Sequence, residues 1–214
     1  MSVVTGTVCI TGYYGIGKTS LIKRFLFDTF GACEETTVGA SIFSKLIDNN
    51  DFKVHTTFWD TAGQEKFAAL VPMYTRSADV IICAIDPTQP ESFEYFKKNI
   101  ESIIGPRVRN PPYVINIVVT KMDTQENDEF ASSQFSKLFF FLSNIIEKYK
   151  LQNKIVVKGY LTSSKNGNNI KQCFLEAIEV IYKKKHNRLF KKENIILEKE
   201  VVERKEYCCN GSFF

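Results

Sequence analysis

The residues best suited to chemistry lie near the start of the chain. Gly12, four intervening residues and then Gly17-Lys18-Thr19 follow the pattern G-x-x-x-x-G-K-[ST], between the strand-like run TVCIT and a helix-forming segment. In that context the backbone N–H groups of Gly15, Ile16 and Gly17, and of the helix start through Ser20, are aimed at a polyphosphate. Lys18 adds a positive charge for the β and γ phosphates, and the Thr19 hydroxyl is a hard oxygen ligand for Mg²⁺. The motif implies a nucleoside triphosphate without specifying the base or the reaction. It also contains two consecutive tyrosines, Tyr13 and Tyr14, where a loop wrapping a polyphosphate is expected to use small residues.

Such a loop needs a strand before it and a helix after it, and the rest of the chain supplies the same alternation. TVCIT leads into a helix over 18–27. SIFSKLI and KVHTTFWD predict a hairpin about DNND, whose Asn and Asp suit a turn. A short helix over 66–74 precedes the strand DVIICAID. A helix from residue 91, the strand YVINIVVT, a long helix over 132–149, the strand KIVVKGYL and a helix from residue 168 complete the pattern. This order predicts an α/β fold with a six-stranded, mostly parallel sheet and helices on both faces. DVIICAID is apolar almost throughout, as a strand covered on both sides should be.

At 214 residues, with 44% hydrophobic and 24% charged residues, the chain has the size and composition of one globular domain with an appended tail. Residues 183–206 hold nine basic and five acidic residues, which accounts for the whole net charge of +4 and leaves residues 1–182 neutral. The opening MSVVTGTVCITG lacks a signal-peptide pattern, and no apolar run is long enough to span a bilayer. A cytosolic chain with its six cysteines reduced is expected. Cys9 and Cys83 fall in apolar strand-like runs as small core residues, while Cys33 and Cys173 show no metal-ligand spacing. Nothing points to nucleic acid.

Over residues 7–182 the sequence resembles the Ras superfamily of small GTPases, and its Rab branch most, through five motifs in order. VVTKMD is similar to the guanine motif N/T-K-x-D. The carboxylate of Asp123 is an acceptor only, and guanine presents two donors together, N1–H and the 2-amino group, which adenine lacks on that edge. The resemblance implies that Lys121 lays its alkyl stem over the base, with Thr120 where most Rab proteins have asparagine. In TSSK, Ser163, Ser164 and Lys165 belong to the second base-holding loop, with the N–H groups of Ser164 and Lys165 facing the guanine oxygen. Phe30 is expected edge-on to the base. ETTVGASIF resembles the first switch, which implies Thr37 as a ligand of Mg²⁺ and of the γ-phosphate. FWDTAGQE resembles the second switch, which implies Asp60 holding Mg²⁺ through water, Gly63 N–H on the γ-phosphate and Gln64 orienting the attacking water. The implied fold is the P-loop NTPase G domain. The implied partners are GTP/GDP, Mg²⁺, an exchange factor, a GTPase-activating protein and effectors, acting on a monomer.

By register with the family, Tyr13 points away from the phosphates, whereas Tyr14 takes the loop position nearest the γ-phosphate. The loop still binds through its N–H groups, so nucleotide binding persists. A phenol ring at Tyr14 predicts slow hydrolysis and a weak response to an activator's arginine; swung out to solvent, the ring would change little. Phe43, Trp59 and Met73 are expected to form an exposed effector patch, with packing within the sheet as the alternative for Trp59.

From residue 183 a flexible tail is expected, ending in Cys208-Cys209. The Rab resemblance implies prenylation of this pair, with the basic stretch 183–192 adding attraction to anionic lipid. NGSFF after the cysteines is longer than the usual Rab ending, and Leu189, Ile196 and Val202 offer an alternative as a continued helix or a docking segment. Two functions follow. One is a GTP-hydrolysing switch on the cytoplasmic face of vesicle membranes, cycling with the cytosol. The other is a GTP-holding module with little hydrolysis, favoured by Tyr14 and opposed by Gln64. A P-loop kinase or ATPase has no place for TKMD, and Thr120 alone suggests a Rho-like identity.

Overall fold

The computed structural model describes residues 3–31, 34–64, 69–106, 108–124 and 128–188, with the side chains of 128–131, 187 and 188 outside the description. Eleven elements alternate along these residues: β1 (Val4–Thr11), α1 (Lys18–Phe27), β2 (Ala40–Asn49), β3 (Phe52–Thr61), α2 (Val71–Thr75), β4 (Val80–Ile85), α3 (Pro90–Ile104), β5 (Val114–Val119), α4 (Asp128–Lys148), β6 (Val156–Leu161) and α5 (Ile170–Arg188). The sheet order is β2-β3-β1-β4-β5-β6, parallel except for the β2–β3 hairpin. Because β1 lies between β3 and β4, five loops gather at the carboxyl ends of the five parallel strands. That edge, at the point where strand order reverses, is where such sheets bind ligands.

Strand alternation sorts the core into two layers. Ile10, Val80, Ile82 and Val118 pack with α1 and α5 through Leu21, Ile22, Phe174 and Ile178. Cys9, Ile81, Cys83 and Ile117 face the other way, onto Phe96 and Ile100 of α3 and Leu138 and Leu142 of α4. Cys9, Cys83 and Cys173 are buried, and burial raises all three thiols, those of Cys83 and Cys173 to about 12. The expected core role of Cys9 and Cys83 holds, whereas Cys33 lies outside the described residues.

The structure departs from expectation in three places. Residues 69–70 form a 3₁₀ turn and α2 begins only at Val71, with Pro72 in its first turn; residues 65–68, where a longer helix was expected to start, lie outside the description. The expected patch of Phe43, Trp59 and Met73 is divided by the sheet. In the hairpin register Ile42 opposes Trp59 and Phe43 opposes Phe58, so Phe43 and Trp59 lie on opposite faces. Phe43 packs edge-on to Phe27, while Trp59 tilts against Tyr74, 5.2 Å between centroids. Val38, Ile42 and Met73 are exposed apolar residues near the end of the sheet where β2 begins, and Leu46 is exposed further along the hairpin, as is Phe27 beside it.

The third departure concerns the end of the last helix. Helix α5 continues to Arg188, past residue 183 where the tail was expected to begin. Lys185 accounts for the extension: its ammonium donates to the Thr5 carbonyl at 2.9 Å and pairs with Asp79 at 2.7 Å, and Asp79 also accepts the Thr7 N–H. Residues 189–214 lie outside the description.

Edge strand β6 is fastened to α5 by Glu176, which accepts from Lys158 at 2.9 Å, Tyr160 at 2.7 Å and Gln172 at 2.7 Å. Burial by itself would raise the Glu176 carboxyl, but these hydrogen bonds outweigh it and hold it below the usual range. Glu176→Ala is expected to destabilise the fold by about 1–3 kcal/mol, measured by urea denaturation at neutral pH. A carboxyl depressed in the folded state contributes stability at neutral pH and loses it as pH falls through its folded pKa, so the native and variant curves converge on acidification.

Candidate functional site

Five loops close a cleft of about 370 Å³ at the carboxyl edge of the sheet, within the size range of small-ligand sites. The loop after β1 supplies the floor. Gly17, at φ 94°, occupies the N-cap of α1 in a left-handed conformation that glycine adopts without strain. Lys18, only 7% exposed, donates from its ammonium to the Tyr13 carbonyl at 2.7 Å. Burial pushes this lysine down to about 8, with the nearby Asp60 opposing. Phosphate oxygens beside it would reverse that effect by favouring the charged form. The Ile16 side chain is buried in the core, which leaves its backbone for the cleft.

At the head of α1 three side-chain oxygens converge from three elements. Thr19 Oγ1 donates to Asp60 Oδ2 at 2.7 Å and lies 3.1 Å from Thr37 Oγ1. Asp60 is fully buried, and its Oδ1 receives no hydrogen bond among the described residues. Burial raises its carboxyl, while Thr19 and Lys18 oppose the shift. A buried carboxylate oxygen without a donor, next to two hydroxyls, is a hard-oxygen set that fits Mg²⁺. Gly63 closes the same corner so tightly that a Cβ there would stand 2.5 Å from Lys18 Nζ and 2.5 Å from the Tyr13 carbonyl oxygen.

Residues 34–37 form one wall, tied down at two points. Glu34 pairs with Lys23 of α1 at 2.5 Å, and Thr36 Oγ1 stands 3.4 Å from the Tyr14 hydroxyl. Tyr14 is 47% exposed yet lines the cleft, so its ring lies at the mouth between the phosphate loop and this wall. Tyr13 turns away, edge-on to Tyr95 at 6.2 Å.

The opposite end is built from the loops after β5 and β6. Asp123 Oδ1 accepts from Ser163 Oγ at 2.6 Å, which joins the two loops. Thr120 donates its hydroxyl to the Ile85 carbonyl, so it braces β5 on β4. Lys121 adopts φ 58° and pairs at 2.8 Å with Asp86, which is fully buried at the end of β4. Phe30, Ser164, Lys165 and Ser20 line the cleft. Three expected site residues do not line it: Asp60 and Ser163 lie beneath, hydrogen-bonded to Thr19 and Asp123, and Gln64 sits half-buried just beyond Gly63. Sequence reasoning missed Asp86, which holds Lys121, and Arg24, which donates to the carbonyls of Ser164 and Lys165. No local signal marks either residue, because their partners are about 35 and 140 positions away.

The Ras family profile matches residues 7–183. Among similar proteins, the Ras-related protein RABF2a of Arabidopsis thaliana is 32% identical over 173 residues, covering 81% of this chain and 79% of its own length. Ras-related protein RABF2b of the same plant is 31% identical over the same shares. With a glycine-rich loop, a hydroxyl–carboxylate corner and an acidic base-side residue on a six-stranded, mostly parallel sheet, the chain belongs to the Ras family as a Rab-type small GTPase.

Proposed function

We propose that the cleft binds GTP and GDP with Mg²⁺, and that hydrolysis of GTP switches the adjoining surface in intracellular vesicle traffic. The observation that carries this reading is the convergence of Thr19, Thr37 and Asp60 around a buried carboxylate oxygen without a donor, beside Lys18. In this reading Thr19 and Thr37 offer oxygens to Mg²⁺ and Asp60 acts through water. The metal supplies charge neutralisation for the phosphates. Backbone N–H groups of the loop 12–17 and the Lys18 ammonium hold the β and γ phosphates. Asp123 reads the two guanine donors, Lys121 covers the base, and Phe30 closes its edge. Gln64 orients the attacking water. Thr37 and Gly63 both depend on the γ-phosphate, so its loss releases both walls and converts a bond cleavage into a change of surface.

The exposed residues Val38, Ile42 and Met73 beside those walls suit an effector that binds only the ordered state. Exchange factors and GTPase-activating proteins act on the same region. Lys185 holds α5 against Thr5 and Asp79, at the ends of β1 and β4 remote from the cleft, so α5 ends on the far side. A tail prenylated at Cys208 and Cys209, both outside the described residues, would then attach the protein to a vesicle membrane with the switch surface turned outward. Among the described residues no helix is long and apolar enough to cross a membrane.

A second reading, a GTP-holding module with slow hydrolysis, is favoured by the position of Tyr14 beside Thr36. Binding is tested by displacement of a fluorescent GDP analogue. GDP and GTP should compete with it, while ADP at about 100-fold excess should not, since the site discriminates through hydrogen bonds. Chelating Mg²⁺ should speed release at least about tenfold, equivalent to the loss of one charge-assisted contact. Equal competition by ADP, or release indifferent to the metal, would reject the proposal.

A further inference from the structure

We infer that Arg24 of α1 is a positioning residue for base recognition, holding the loop after β6 so that the Lys165 N–H faces the cleft; this rests on the guanine-nucleotide reading above. The guanidinium lies across two successive carbonyls. Its Nε donates to the Ser164 oxygen at 2.6 Å and its Nη2 to the Lys165 oxygen, while Nη1 donates to the Asp28 carbonyl at 3.0 Å and to Asp28 Oδ1 at 2.9 Å. The Arg24 side chain is largely covered.

Peptide planarity carries the consequence. In a trans peptide the carbonyl of one residue and the N–H of the next point in opposite directions. With the Ser164 carbonyl drawn onto α1, the Lys165 N–H is turned away from α1, and both residues line the cleft. The next two N–H groups of the loop are used internally: that of Asn166 donates to Ser163 Oγ at 3.1 Å and that of Gly167 to the Ser163 carbonyl at 2.8 Å. That leaves the N–H groups of Ser164 and Lys165 for the ligand; the Lys165 N–H is the one whose direction Arg24 sets through the Ser164 carbonyl, and its complement on the base is an exocyclic carbonyl oxygen, which guanine has and adenine lacks.

Arginine suits this position because its Nε and Nη2 donors share one rigid edge matched to two adjacent acceptors. A lysine ammonium reaches one of them without fixing the plane. Since α1 starts at the phosphate loop, the same helix that holds the phosphates also sets the angle of the base-reading peptide.

The test compares GDP with the diphosphate of 6-thioguanosine, which keeps N1–H and the 2-amino group but carries a weakly accepting sulfur in place of the exocyclic oxygen, on the native chain and on Arg24→Ala and Arg24→Lys. Arg24→Ala should weaken GDP about tenfold, the value of one hydrogen bond, and the oxygen-less analogue less than about twofold. Arg24→Lys should fall between, and thermal melts should show all three proteins folded. Equal weakening of both ligands would reduce Arg24 to a structural tie and overturn the inference, as would unchanged GDP affinity in the folded variants. Failure of the native chain to bind GDP at all would instead overturn the guanine reading on which the inference stands.

Discussion

Gln64→Leu is expected to lower the single-turnover rate of GTP hydrolysis at least about tenfold while leaving nucleotide affinity nearly unchanged. The amide of glutamine can accept from and donate to a water, and leucine, of similar size, can do neither. Gln64 directly follows Gly63, whose fit against Lys18 and the Tyr13 carbonyl fixes where the next residue emerges. It stands half-buried beside the cleft, outside its lining, so it can act on an attacking water without contributing to ground-state binding. The companion variant is Tyr14→Ser. The phenol lies at the cleft mouth with its hydroxyl 3.4 Å from Thr36. Removing the ring should raise hydrolysis in the presence of an arginine-donating activator by about tenfold or more, a fraction of the 10³–10⁵ such an arginine can supply. If the native chain and Gln64→Leu retain GTP equally, Gln64 is idle and the protein is a GTP-holding module. If Tyr14→Ser is no faster than the native chain, the ring is no obstacle.

The second large effect concerns the base. Asp123→Asn should weaken GDP by about 10²–10⁴, because one of the two acceptors facing the guanine donors becomes a donor itself. Xanthine presents N1–H beside a carbonyl oxygen, the pattern an asparagine amide complements, so xanthosine diphosphate should bind the variant better than GDP does. Ser163 donates to Asp123 Oδ1 at 2.6 Å and fixes the carboxylate plane. Ser163→Ala should therefore loosen GDP by only a few fold, without a change of preference, since a single neutral hydrogen bond is lost. Competition binding with both diphosphates measures all of this. A folded Asp123→Asn that loses GDP without gaining xanthosine diphosphate would remove Asp123 as the base reader.

These outcomes bear on a site whose components came from the sequence in unequal measure. The phosphate loop was legible because its chemistry is local: Gly12, Gly17, Lys18 and Thr19 lie within eight residues, and a strand before them and a helix after them follow from apolar periodicity. The sheet was legible for a related reason. Strands such as VIICAI are buried on both faces, and continuous β-branched runs between amphipathic helices leave few alternatives to a parallel arrangement.

Tertiary structure alone decided what depends on strand order and register. The hairpin register separated Phe43 from Trp59, because a side-chain period of two puts neighbouring pairs on opposite faces and no composition records which pair is which. Asp86 met Lys121 because β4 lies next to β5, and Arg24 met the loop after β6 because α1 and α5 cover the same face. Helix α5 outran its expected end because Lys185 found Asp79 at the start of β4. Local spacing named the groups that would touch a ligand; long-range packing chose the residues that aim them.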